Sequence, residues 1–326
     1  MTRNLTSIIR ESDAHQSLIR FLCERFTYHT CAEWTTLIQE GRVRINQLPV
    51  LSETLLEPGN SLTYDASCIR EPPVNSQYRI ILDDPLFLAI DKPGNLPCHP
   101  GGRYFNHTLW AMLKKEHNLP DPIFVNRLDR ETSGVILVAQ TPRAAKTLCQ
   151  QFRAHTVTKR YTVLVEGCFP PQMQAQGWLV QDTHSIIRKK RAFLPAENSA
   201  SPPLPTAEWS ETSFERTALH NGFSRVEVQP HTGRLHQIRA TLLSLGFPVV
   251  GDKLYGVDET FFLKFCQDTL TDADRALLRL PRQALHAHSL TFCHPQTGIL
   301  TELTAPLPQD MTALIPQPSE VPLPDC

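Results

Sequence analysis

The sequence predicts an α+β fold, and three observations carry that expectation. Short strand-like and helix-like stretches are mixed without a regular β-α-β alternation, no internal repeat is present, and the composition, 41% hydrophobic and 20% charged, is that of a soluble globular protein. At 326 residues the chain has room for one large domain or two ordinary ones, and so for a sizeable core.

Residues 1–70 differ in character from the rest. Helical spacing covers 17–26 and 32–39, and the second stretch is followed by Gly41, which suits the position just past a helix end. Val43, Ile45 and Leu48 then alternate with Arg42, Arg44 and Asn46 as in a half-buried strand, and 57–64 reads as a turn with a returning strand. Residues 71–77 hold Pro72 and Pro73 and read as a linker. The second part, 78–306, opens with strands at 78–82 and 86–90 and a helix at 109–116. A strand at 135–139, a helix at 144–154 and a strand at 160–166 follow. The stretch ASPPLP, 200–205, excludes an internal strand or helix and reads as a loop. Residues 258–280 are helical by pattern and read as an insertion, and 307–326, rich in Pro, as an extended tail.

Between the apolar runs 123–125 and 135–139 lies NRLDRETSG, 126–134, in which Asp129 is enclosed by Arg127 and Arg130. A carboxylate between buried strands survives when paired, and a paired one stays ionised and available as nucleophile or base. A loop-capping Asp in a surface ion pair fits the same residues equally well. Leu235, Ile238, Leu242 and Leu245 recur at helical spacing and define a buried face that Arg239 shares. A guanidinium there requires a buried anion, because leaving it uncompensated costs on the order of 3 to 5 kcal/mol. Tyr161 alternates with Val163 and Val165 onto one strand face, where a core aromatic is the plain reading.

The nonapeptide resembles the catalytic motif of the RluA-like family of RNA pseudouridine synthases: Arg-Leu-Asp, two variable residues, then Thr-Ser-Gly. Further segments match that family in order: DKPGNLPCHPG (91–101), KRY (159–161), HTGRLHQIR (231–239), GDKLYG (251–256) and LHAH (285–288). The resemblance spans roughly residues 78–306, with one departure at Asn126, where the family usually has His. It implies a pseudouridine synthase fold: a mixed, mostly antiparallel sheet with flanking helices and a central cleft. It also implies an isomerase that cleaves the glycosidic bond of a uridine in RNA, turns the uracil and rejoins it through carbon. By the same resemblance Asp129 is the essential group and Arg239 its partner. Tyr161 stacks on the uracil and assists proton removal, Arg127 holds the nucleotide out of its stack, and Leu285 forms the apolar floor. No cofactor and no metal are implied. The first 70 residues are similar to an S4 RNA-binding module, with a structural appendage as the alternative. That module favours ribosomal RNA over transfer RNA as partner, and a monomer is expected.

Net charge is −1, from 32 Lys and Arg against 33 Asp and Glu, so the whole chain exerts no global attraction on nucleic acid. The charges are uneven. Basic residues dominate 127–160, and 188–191 is an unbroken RKKR run that reads either as a solvated loop or as a phosphate contact. Nine cysteines form no CxxC pair and no disulfide-like framework, no signal-like leader opens the chain, and no run of eighteen apolar residues occurs, so a reducing cytoplasmic setting without a membrane is expected. His286 with His288, Cys98 with His99, and Cys293 with His294 lack the spacing of a zinc site. No GxxxxGK or GxGxxG occurs. Two rival classes are a non-catalytic RNA-binding protein and an N-glycoside hydrolase. The second needs a paired acid, and Glu131 is too near Asp129 in sequence to face it across a substrate.

Overall fold

The computed structural model describes residues 4–26, 29–68, 70–196 and 202–315. Two compact units are present: Met1–Pro73 with Pro100–Asn106, and Val74–His99 with His107–Cys326.

The smaller unit runs β1 (Asn4–Ile8), α1 (Leu18–Arg25), α2 (Cys31–Gln39), β2 (Val43–Ile45), β3 (Leu48–Pro49) and β4 (Ser61–Asp65), with sheet order β1-β4-β2-β3. Thr30 starts α2 through a reciprocal cap with Glu33. Leu18 and Leu22 of α1 and Trp34 and Ile38 of α2 bury themselves against Val43, Ile45, Leu62 and Tyr64 of the sheet. Three differences from the sequence reading stand out. Strand β1 was not expected, because its few apolar residues lie on an edge where Ile8 is exposed. Leu48 does not share the buried face of Val43 and Ile45: Asn46 and Gln47 take φ of 50° and 67°, which reverses the chain and leaves Leu48 exposed. Cys23 and Cys31, at the facing ends of α1 and α2, are disulfide-bonded, a pairing that the cysteine spacing did not reveal.

The larger unit begins with β5 (Arg79–Asp84), β6 (Phe87–Lys92), α3 (Leu109–Glu116), β7 (Ile123–Phe124), β8 (Ser133–Ala139), α4 (Pro142–Arg153) and β9 (Thr158–Glu166). It continues with β10 (Gln172–Gln181), β11 (Arg191–Pro195), β12 (Glu208–His220), β13 (Phe223–Pro230), α5 (Gln237–Ser244), α6 (Thr260–Cys266) and α7 (Asp272–Leu278). The last elements are β14 (Leu285–Cys293), β15 (Leu300–Thr304) and α8 (Gln309–Thr312). Eleven strands form one sheet, β11-β10-β12-β13-β9-β14-β8-β6-β5, with β15 on β14 and β7 on β8. Every pairing is antiparallel except β14 with β8, so the α+β expectation of a mixed, mostly antiparallel sheet holds.

The centre of the sheet is covered on both faces. Helix α3 packs Leu109 and Leu113 on Ile90, Ile136 and Val138, while α4 packs Leu148 on Phe87, Val135 and Leu137. That is why β8 is a continuous apolar run rather than an alternating one. Helix α5 lays Ile238 and Leu242 on Val163, Val228 and Phe214. Leu235 was expected on this helix face, but it precedes the helix and is half exposed. The tail also differs from expectation up to Ile315. Met311 of α8 and Ile315 are buried against Leu164, Phe223 and Val250, and Asp310 receives both arms of Arg282 at 2.6 and 2.8 Å. The rest of the expected extended tail, 316–326, and the start of the 200–205 loop lie outside the described residues.

The parallel pair positions the site. Because β8 and β14 run the same way, the loops that lead into them meet at one end of the sheet, one bringing Asp129 and the other Gln283. Antiparallel β9 lies on the other side of β14, with Tyr161 opposite Ala287 and Val163 opposite Leu285.

Candidate active site

Asp129 stands between α5 and the loop before β14. Its Oδ2 accepts from Arg239 Nη1 at 2.7 Å and from Gln283 Nε2 at 3.4 Å, and its Oδ1 faces His236 Nε2 at 3.8 Å. The partner demanded by an inward-facing Arg239 is therefore present. Arg239 also forks onto Asp252, with Nε to Oδ2 at 2.6 Å and Nη2 to Oδ1 at 2.8 Å, and its guanidinium lies 4.8 Å from the centre of the Tyr255 ring. Burial by itself would raise the Asp129 carboxyl, but the Arg239 guanidinium, with His236 and the Gln283 amide adding to it, outweighs burial and holds the pKa below the usual carboxylate value. Asp252, fully buried and hydrogen-bonded by the Leu254 and Tyr255 backbone N–H groups, is lowered in the same contest between burial and Arg239. Both acids are ionised at neutral pH.

The sequence placed Asp129 between two neighbouring guanidinium groups, and the structure corrects this. Arg130 engages Glu131 at 2.7 Å and lies 4.5 Å from the centre of the Phe265 ring, while Arg127 is exposed at the rim. The cation that fixes Asp129 comes instead from 110 residues away in the chain.

A cavity of about 120 Å³ opens on Asp129, and Arg127, Tyr161, His236, Arg239 and Leu285 are all among its lining residues. Two larger cavities, about 430 and 720 Å³, do not include Asp129; its carboxylate singles out the smaller one. Burial, with Asp129 adding to it, pushes the Tyr161 phenol up to about 12, so its hydroxyl is protonated at neutral pH. Leu285 is buried, belonging both to the core under α5 and to the cavity wall.

The surrounding motif residues hold the loop of Asp129. Lys92 has no solvent exposure and donates to the carbonyl oxygens of Pro93, Leu96 and Arg130 at 2.8, 3.0 and 3.2 Å. Asn126 accepts from Leu137 N–H at 2.8 Å and donates to the Val135 carbonyl at 3.3 Å, so this departure from the family pattern braces β8. Gln283 gives its amide to Thr132 Oγ1 at 2.5 Å as well as to Asp129. Lys253 clasps Glu131 at 2.9 and 3.0 Å. The sequence reading did not single out His236, Asp252 or Gln283. The first two lie inside the motifs at 231–239 and 251–256, but no periodicity marks a residue that acts through contacts outside its own element.

The RKKR run is partly spent on internal contacts. Lys190 is buried and pairs with Glu259 at 2.6 Å, and Lys189 lies 4.2 Å from the centre of the Phe262 ring. Of the histidines weighed as metal ligands, His286 is fully buried between Ser133 Oγ at 3.0 Å and the Ala305 carbonyl at 3.1 Å. Among the described residues no cluster of three or more His, Cys, Asp or Glu side chains is placed to hold a metal ion, and no helix is long and apolar enough to cross a membrane.

Comparison with known proteins agrees with this geometry. Residues 86–244 match the RNA pseudouridylate synthase family. The chain is 30% identical to an uncharacterised RNA pseudouridine synthase of Synechocystis sp., covering 90% of this chain and 95% of that protein. It is 36% identical to ribosomal large subunit pseudouridine synthase D of Nitrosomonas europaea, over 73% of this chain and 64% of the relative. It is 31% identical to the mitochondrial tRNA pseudouridine(32) synthase of Saccharomyces cerevisiae, over 80% of this chain and 55% of that protein. With its length matched almost end to end by the cyanobacterial protein, the chain belongs to the RNA pseudouridine synthases, isomerases that act on uridine in RNA.

Proposed function

We propose that this enzyme is an RluA-like synthase that isomerises particular uridines in structured RNA, with ribosomal RNA as its substrate class and Asp129 as its essential group. One observation carries the reading: an ionised carboxylate anchored through Oδ2 at a small cavity whose wall includes an aromatic ring and a leucine. The reaction breaks the bond between the ribose and N1, turns the uracil and joins carbon five to the ribose; the proton on carbon five is released and N1 takes one up. Asp129 acts on the ribose, as nucleophile or as base. Tyr161 stacks on the uracil, Leu285 supports it from below, and exposed Arg127 at the rim helps keep the nucleotide out of its stack, an extrusion that costs a few kcal/mol.

Ribosomal RNA is favoured by the relative from Nitrosomonas europaea, named for the large ribosomal subunit. The N-terminal unit, read as an S4-like RNA-binding module, supports the same substrate, with exposed Arg44 on its β2–β3 hairpin. Transfer RNA is the second reading, favoured by the yeast relative's name. We propose further that the enzyme works in the cytoplasm, as a monomer.

RNA tritiated at carbon five of uridine tests the reaction. Isomerisation releases tritium, hydrolysis releases free uracil, and a binding protein releases neither. Asp129→Asn is expected to abolish release while RNA binding persists; turnover by that variant would overturn the assignment. Mapping pseudouridines in cellular RNA with and without the gene separates ribosomal from transfer RNA.

A further inference from the structure

His236 holds an uncommon backbone position. It precedes α5 with φ 56° and ψ 20°, left-handed for a residue other than glycine, and its side chain caps nothing in the helix. Such a conformation costs on the order of 1 kcal/mol or more and persists only where its surroundings enforce it. Here the ring is held by Tyr255. The Tyr255 hydroxyl, fully buried, accepts from the Arg191 backbone N–H at 2.9 Å and lies 2.9 Å from His236 Nδ1.

The tautomer follows by elimination. The Tyr255 oxygen carries one proton, and among the described residues His236 Nδ1 is the acceptor in its reach. Were Nδ1 protonated, that buried O–H would be left without a partner. Tyr255 therefore donates to Nδ1, and the ring carries its proton on Nε2, the atom 3.8 Å from Asp129 Oδ1. Oδ2 is already engaged by Arg239 and Gln283, which leaves Oδ1 as the oxygen that turns to the substrate. The charged groups facing the ring are Asp129, Arg239, Lys189 and Asp252. Burial lowers the ring to about 4, the two acids opposing and the two cations reinforcing, so it is uncharged at neutral pH.

We propose that His236 is a positioning residue for the isomerisation: a neutral imidazole, locked by Tyr255 with its proton on Nε2, that steers Oδ1 of Asp129 by hydrogen bonding. The inference rests on the reading of Asp129 as the essential group. A 3.8 Å separation is too long for a hydrogen bond, and a turn of the carboxylate closes it, as catalytic contacts commonly tighten once substrate is bound.

Nitrogen-15 spectra of the full-length protein labelled at histidine give the direct test, since the two ring nitrogens differ in shift when one is protonated. His236 is expected to be neutral with its proton on Nε2 at pH 7, and to lose that single form in Tyr255→Phe. In kinetics, His236→Ala should lower kcat roughly tenfold to a hundredfold with KM little changed, the worth of a hydrogen bond to a charged group. It should also move the acid limb of kcat/KM upward. His236→Gln, which can bring an amide N–H near the Nε2 position, should recover part of the rate. A proton on Nδ1, a charged ring at pH 7, or equal losses in the Ala and Gln variants with an unmoved acid limb would each overturn the proposal. Activity in Asp129→Asn would instead overturn the reading beneath it, so the two failures are distinguishable.

Discussion

Arg239 gives the fork of its guanidinium to Asp252 and a single N–H to Asp129, with Nε and Nη2 at 2.6 and 2.8 Å from Asp252 and Nη1 at 2.7 Å from Asp129. The division of labour matters. The bidentate pair fixes the plane of the guanidinium, and Asp252 is itself fixed by two backbone N–H groups, so the third N–H reaches Asp129 from a rigid base. Asp252 orients the cation, and the cation orients and ionises the acid.

Asp252→Asn keeps the shape of that base and removes its charge. The buried guanidinium would then be shared by one carboxylate and an amide, and it should swing toward Asp129. A fall in kcat of at least about tenfold is expected, with unchanged RNA affinity, and a stability loss on the order of 3 kcal/mol from breaking a buried pair. Single-turnover rates and urea unfolding check both. Wild-type kcat in this variant would mean that Arg239 needs no second acid.

Gly134 and Ala287 lock the parallel pair. Gly134 has φ +114°, and a Cβ there would lie 2.2 Å from the Ala287 carbonyl oxygen, which is backbone and cannot step aside. Gly134→Ala should therefore cost about 2 to 4 kcal/mol, through strain and separation of β8 from β14. Because those strands carry the loops of Asp129 and Gln283, kcat should fall further than stability alone explains. A urea midpoint equal to wild type would contradict the close approach.

Much of the site was legible because the residues that meet there belong to short motifs with a physical signature. An Arg on the apolar side of a helix demanded an anion, and Asp129 met the demand. Tyr161 faced the predicted side of its strand with Val163. The rest depended on contacts between distant segments. Strands β10 to β13 were not expected, although Gln172, Gln174 and Gln176 alternate with Met173, Ala175 and Gly177, because one face stays polar. Asp129 looked guarded by its own neighbours, and only folding shows Arg130 turned to Glu131. The tail looked extended by its prolines, yet Met311 and Ile315 supply enough apolar surface to dock it.

Lys92 tests how far the site depends on the loop behind it. Three carbonyl oxygens, one of them from Arg130 beside Asp129, converge on its ammonium, a group with three donors to give. Lys92→Met would fill the space and leave those acceptors unpaired, so a stability loss on the order of 3 kcal/mol is expected, together with reduced kcat and little change in KM. Thermal unfolding and steady-state kinetics check this. A stable variant with normal kcat would show that the loop holds its shape unaided.

Acid should weaken the fold before it disarms the site. His236 and His286 are both lowered from 6.5 to about 4, each chiefly by burial. Between those values the unfolded chain binds protons that the folded chain refuses, so stability falls as pH drops from about 6.5 to about 4. The slope then flattens for these two groups. A depression of that size corresponds to roughly 3 kcal/mol per ring at most, and less if the unfolded chain retains structure. Asp129 and Asp252 act in the same direction but in a more acidic window. Their lowered values contribute stability above the ordinary aspartate range, lost only as pH falls through the depressed values. Urea unfolding between about pH 7 and pH 4.5 should show the histidine-driven decline, while kcat of the still-folded enzyme stays level because Asp129 remains ionised and His236 uncharged. A flat stability profile across that interval would mean that the two rings are not held in their buried, neutral forms.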